Sequence, residues 1–116
     1  MALSEEAQFQ LRRGEQMLRQ REQRRRDLRA TADRISAMLR TEFGASQVWV
    51  FGSVVRPWFH EDSDLDLAAE GIASSRRAEA WDRASALTDT SVDLVFLEEA
   101  APLLHERILT DGEPLG

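Results

Sequence analysis

Three carboxylates carry the chemistry this sequence can do. Asp64 and Asp66 stand two apart in Asp64-Leu65-Asp66-Leu67-Ala68. Polar and apolar residues alternate there with period two, which predicts a strand whose two carboxylates leave one face about 7 Å apart. Leu65 and Leu67 then point into the core. Asp93 interrupts the apolar run Val92 to Leu97. An ionised carboxylate buried alone is costly, so this one needs a cation, an arginine such as Arg56 or Arg83, or strong hydrogen bonds. If the two strands are neighbours, all three carboxylates converge. The chain has no cysteine, so the cluster is all oxygen and suits Mg²⁺ or Mn²⁺ rather than Zn²⁺. Two such ions about 3.5–4 Å apart would clamp the attacking and leaving oxygens of an in-line phosphoryl displacement.

Upstream, Phe51-Gly52-Ser53 follows an apolar run and opens a turn or short helix. Glycine lets a ligand approach the backbone, amides at such a start attract phosphate, and Ser53 adds a hydroxyl donor. All fifteen basic residues are arginine, which excludes the lysine-dependent phosphate loop of the Walker type.

The elements that must position these residues can be read on either side of Gly44. From Ser4 to Phe43 there is no proline, and only Gly14 interrupts good helix formers. Ser4 is the predicted N-cap, Glu5 and Glu6 suit the positive end of the helix dipole, and Gly44 is the stop. Leu28, Ala32, Ile35, Leu39 and Phe43 recur at helical spacing, so this half packs on the domain. Leu11 and Leu18 form a thinner stripe, and Arg19 to Asp27 contains no apolar residue. A helix of about 40 residues would be about 60 Å long. The remaining body should be roughly 30 Å across. Residues 1–43 are therefore expected to be a helical extension that bends near residues 24–26 or projects, and it is a candidate contact for a partner or a second copy.

Residues 44–116 read as one small domain. Val48 to Phe51 is a buried strand, Gly52 to Trp58 a turn or short helix limited by Pro57, and His60 to Ser63 a loop. A strand from Asp64 to Ala68 ends by Gly71. Ser74 or Ser75 starts a helix to about Leu87, with Ala78, Trp81, Ala84 or Ser85, and Leu87 or Thr88 inward. Val92 to Leu97 is the third strand. A last helix begins near Pro102, carries Leu103, Leu104, Ile108 and Leu109 on one side, and stops at Gly112. Trp49 and Trp81 are expected in the core. Trp58 and Phe59 are expected to meet the core or a partner. The class is α/β: a mixed sheet of about three strands packed with helices.

Composition excludes several alternatives. At 42% hydrophobic and 31% charged residues, the chain is globular rather than disordered. No apolar run approaches the roughly 20 residues of a membrane span, and the N-terminus lacks signal-peptide features. The cytoplasm is the expected compartment. Residues 1–43 hold ten arginines against seven acids, and residues 44–116 hold five against fourteen. So acidic a domain argues against a broad nucleic-acid surface.

Gly52-Ser53-Val54-Val55-Arg56-Pro57, six residues, then Asp64-Leu65-Asp66-Leu67 resembles the signature of minimal nucleotidyltransferases in the polymerase-β superfamily. That signature is Gly-Ser-x-x-Arg-Gly followed by Ser-Asp-x-Asp-Leu. Ser63 supplies its serine, Val92-Asp93-Leu94-Val95 resembles its third-carboxylate strand, and Leu104 to Leu115 its closing helix. The resemblance covers about residues 30–116. It implies the nucleotidyltransferase fold, with Asp64, Asp66 and Asp93 as catalytic metal ligands for two Mg²⁺ ions. Asp93 would also help deprotonate the acceptor, while Gly52 and Ser53 hold the β- and γ-phosphates of ATP and Arg56 steadies them. Pro57, where the family has glycine, removes a backbone donor and weakens the expected phosphate grip. Stand-alone domains of this family include antitoxins paired with HEPN ribonuclease toxins. The resemblance thus implies transfer of AMP to a toxin hydroxyl, a tyrosine, silencing the toxin. A binding antitoxin without catalysis, and a small-molecule nucleotidyltransferase, are the alternatives.

Overall fold

The computed structural model describes residues 2–55 and 64–116. Its first element, α1 (Glu5–Phe43), is one unbroken helix of 39 residues. The Ser4 hydroxyl accepts from the Ala7 amide at 3.1 Å, and Gly44 closes the helix at φ 74° with its N–H on the Leu39 carbonyl. Both caps sit where the sequence puts them. The helix does not break at its arginine-rich middle: the molecule is 65 Å long and only 29 by 20 Å across, so the N-terminal half projects. From Leu28 onward α1 turns Leu28, Ala32, Ile35, Leu39 and Phe43 into the core.

A four-stranded sheet follows, built from β1 (Gln47–Phe51), β2 (Leu65–Glu70), β3 (Val92–Phe96) and β4 (Glu113–Leu115). Its order is β3-β2-β1-β4. β1 is antiparallel to β2 and β4, while β2 and β3 are parallel. The parallel pair is joined by a crossover through α2 (Arg77–Ala86), and α3 (Pro102–Asp111) precedes β4. The sequence reading of about three strands thus gains a fourth. β4 has three residues, one of them Pro114, too few to show alternation, and edge strands tolerate proline.

The two sheet faces bury different helices. Val48, Val50, Leu65, Leu67, Leu94 and their neighbours pack with α1 and with Ala80 and Ala84 of α2. On the opposite face Ala68 packs with Ile108 and Leu97, flanked by Trp49, Phe51, Val95 and Leu104. Side chains hold β4 to α1: Arg29 reaches both carboxylate oxygens of Glu113 at 2.6 and 3.2 Å, and Arg40 donates to the Leu115 carbonyl at 2.6 Å. The Arg29 partner holds the Glu113 carboxyl below its ordinary pKa.

Two inward faces differ from those expected. In α2 Ala84 is buried as expected, together with Ala80, but Ala78 is exposed and Trp81 is 39% and Leu87 43% exposed. A 3-10 turn at Ser74–Arg76 precedes α2, and of the helix's alanines Ala80 and Ala84 face the core. Trp81 lies outside, its indole N–H donating to the Val92 carbonyl at 2.9 Å. In α3, Ile108 is buried and Leu104 half-buried, but Leu103 and Leu109 are exposed.

Leu39 is fully buried at the centre of the α1 face. Leu39→Ala should destabilise the fold by about 3 kcal/mol, read as a lower urea midpoint with an unchanged slope.

Candidate active site

The parallel register of β2 and β3 sets Asp66 directly beside Asp93. The antiparallel register of β1 and β2 sets Phe51 on the other side of Asp66. Residues opposite one another point to the same face, so Phe51, Asp66 and Asp93 form a row across three strands. The next row on that face is Trp49, Ala68 and Val95, and the α3-side cluster covers it. Phe51 still packs against that cluster, while Asp66 and Asp93 lie at its margin, at the end of the sheet where β1 leads into Gly52 and β2 begins.

Asp64 lies immediately before β2 rather than within it and is exposed. Its charge still reaches the row. The Asp66 carboxyl is pushed up to about 6, first by burial and then by repulsion from Asp93 and Asp64. The cost expected for Asp93 therefore falls on Asp66. β3 is an edge strand and Asp93 is exposed, so the apolar run around it does not bury its carboxylate. Arg83, a predicted alternative partner for Asp93, instead bridges Glu42 at 2.8 Å.

Gly52 closes the site from above. It has φ +76°, a conformation that favours glycine, and a Cβ built on it would collide with Oδ2 of Asp66 while lying 3.1 Å from its Cγ. The backbone of the Gly52–Val55 turn thus presses on the central carboxylate. Nothing in the sequence announces this contact, because it joins residues on different elements. Ser53 follows in the same turn, half-buried. Arg56, Pro57, Trp58, Phe59 and the loop through Ser63 lie outside the described residues.

Beside Asp93 runs an open groove of about 440 Å³ between α2 and α3. Leu94, Val95 and Phe96 line it along β3, with Trp81 and Leu104 among its walls. Sequence reading missed the groove by placing Trp81 in the core.

The donor set fits hard divalent cations. Every group is a carboxylate oxygen, and the central one is held against two like charges that a cation would offset. Among the described residues no three such side chains are already gathered at ligating distance, so loading would have to draw Asp64, Asp66 and Asp93 together.

The strand order, the long preceding helix and the glycine turn are those of the nucleotidyltransferase fold. The "Polymerase beta, Nucleotidyltransferase" family profile matches residues 33–115, and the chain belongs to that family. A solved structure described as a minimal nucleotidyltransferase is 33% identical, with a TM-score of 0.65 over 78% of this chain and 95% of that one. The protein adenylyltransferase MntA of Shewanella oneidensis is 32% identical over 71 residues, 59% of this chain and 51% of its own length. The chain thus spans about half the length of that curated relative. A crystal structure of a toxin-antitoxin with AMP-PNP is 27% identical, with a TM-score of 0.63 over 73% of this chain and 72% of that one. Among the described residues no helix is long and apolar enough to cross a membrane.

Proposed function

We propose that the chain transfers AMP from ATP to a hydroxyl of a partner protein, and that the partner is a HEPN-type ribonuclease toxin silenced by the modification. The observation that carries this reading is the row itself, two aspartates in register beside a glycine turn at one end of the sheet. The likeness to an adenylyltransferase and to a toxin-antitoxin that holds AMP-PNP supports the nucleotide and the kind of partner.

Asp64, Asp66 and Asp93 would hold Mg²⁺, two ions in the full site, which supplies neutralisation of the triphosphate and of charge developing at the α-phosphorus. Gly52 and Ser53 bind the β- and γ-phosphates through backbone N–H and hydroxyl groups, and Arg56 steadies them. The acceptor segment lies in the groove, with its hydroxyl at the Asp93 end. Asp93 takes the hydroxyl proton as that oxygen bonds to the α-phosphorus. The bond from the α-phosphorus to the bridging oxygen breaks, and pyrophosphate leaves.

The test is the intact mass of the protein encoded beside this chain, after incubation with the chain, ATP and Mg²⁺. One or more adenylyl increments are expected. Asp93→Asn should slow their appearance by about 10²–10⁴-fold, the usual worth of a positioned base, while leaving the complex intact. A tight complex that never gains mass with the unaltered chain would replace transfer by masking.

A further inference from the structure

The projecting half of α1 carries a seam that the domain does not use. Ala7, Leu11, Gly14 and Leu18 alternate at spacings of four and three, the seven-residue pattern of a coiled-coil face. Leu11 is 55% and Leu18 60% exposed. The same line continues through Arg21 and Arg25 to Leu28, Ala32, Ile35 and Leu39, and these last four are buried against the sheet and α2. One helix face thus has its inner half filled by its own domain and its outer half open. The family match begins at residue 33, so the outer half belongs to this chain rather than to the family's shared domain.

We infer that the outer halves of α1 from two copies of this chain pair antiparallel along this seam. In that orientation each large residue meets a small one: Leu18 of one copy lies on Ala7 of the other, and Leu11 on Gly14. Gly14 has no atom within 4 Å of a built Cβ, so the space beside it is open to a leucine. Large-on-small layers let two helices pack closely without voids. The net charge of the two ends favours the same direction as a long-range effect, since Glu5, Glu6 and Arg19 lie off the seam. Residues 1–8 carry Glu5 and Glu6 and no arginine, while residues 17–24 carry Arg19, Arg21 and Arg24 against Glu22. Antiparallel pairing sets the acidic end of each helix against the basic end of the other. Parallel pairing would set like against like. The geometry also leaves room. α1 is anchored from Arg24, which donates to Thr90 of the domain, and its outer part extends roughly 30 Å beyond that point. The two domains therefore sit at opposite ends of the pair. This pairing stands independently of nucleotide transfer.

Sedimentation of the full chain across micromolar concentrations should show a concentration-dependent dimer. Leu11→Glu with Leu18→Glu should give a monomer whose helicity and unfolding midpoint at low concentration are unchanged, because both residues are outside the core. The absence of cysteine allows a directional test. Ala7→Cys mixed with Leu18→Cys should form a disulfide-linked pair under mild oxidation, whereas Ala7→Cys alone should not. A chain that stays monomeric overturns the inference, as does an Ala7→Cys variant that links to a second copy of itself in place of the mixed pair. A monomer whose Leu11 and Leu18 become protected only when a HEPN protein is added would assign the seam to that partner and also overturn it.

Discussion

Asp66→Asn is expected to abolish nucleotide transfer and, without divalent cations at neutral pH, to raise the unfolding temperature. The first effect follows from Asp66 as the middle carboxylate of the row. Residues that merely support a metal ligand cost about 10–100-fold when changed, so if Asp66 holds Mg²⁺ as proposed its loss should exceed about a hundred-fold. The second follows from burial and from the Asp93 and Asp64 charges, which lift its carboxyl from an ordinary 3.8 to about 6. A carboxyl with a raised folded pKa is protonated in both states below about pH 4. Its stabilising proton is lost from the fold as pH rises through about 6. The wild-type chain therefore carries a penalty at pH 7 that asparagine removes. The full shift corresponds to about 3 kcal/mol, and partial exposure reduces it to nearer about 1 kcal/mol. Thermal unfolding from pH 4 to 7.5 should show the advantage of the variant growing from nothing. Added Mg²⁺ should then reverse the order, since only the intact site gains stability from binding it. A variant equally stabilised at pH 4 and pH 7 would disprove the electrostatic account.

Gly52→Ala should be nearly as damaging, by a different route. The new methyl would strike the Asp66 carboxylate and hold a non-glycine residue at φ +76°. Backbone strain of this kind costs about 1–3 kcal/mol, and relief requires either the turn or the carboxylate to move. Misplacement of a reacting group by about 1 Å can cost a hundred-fold. Activity should therefore fall by at least about that factor while the variant still folds, with a reduced Mg²⁺-induced shift in unfolding temperature. Gly14→Ala, on the open part of α1, is the control and should leave transfer untouched. If Gly52→Ala kept full activity, the contact with Asp66 would have no part in holding the site.

Much of this architecture is readable in the sequence, and the limits have physical causes. The buried face of α1 follows from periodicity because Leu28, Ala32, Ile35, Leu39 and Phe43 are apolar among polar neighbours, and local capping chemistry marks Ser4 and Gly44. Asp66 and Asp93 can be read as a pair because each lies in a short strand with its own pattern. Their register needed the structure. α2 misled in part: the expected Ala84 is buried but Trp81 is not, because close packing against the α1 side selects the small Ala80 and Ala84. Asp93 misled in the opposite way. An apolar run implies burial on both faces, but β3 is an edge strand and its Asp93 position is exposed. The Gly52–Asp66 contact has no local signature.

The placement of β4 bears on how the chain can be made. β1, with Val48, Trp49, Val50 and Phe51, is interior only because β4 lies on its far side. During synthesis β2 and β3 emerge before β4, leaving the β1 edge unpaired, and such an edge is a template for aggregation. Arg29 and Arg40, already on the nascent helix, then catch Glu113 and the Leu115 carbonyl as they arrive. The late-emerging strand is thus a seal, and a truncated product released before it should be sticky rather than merely inactive.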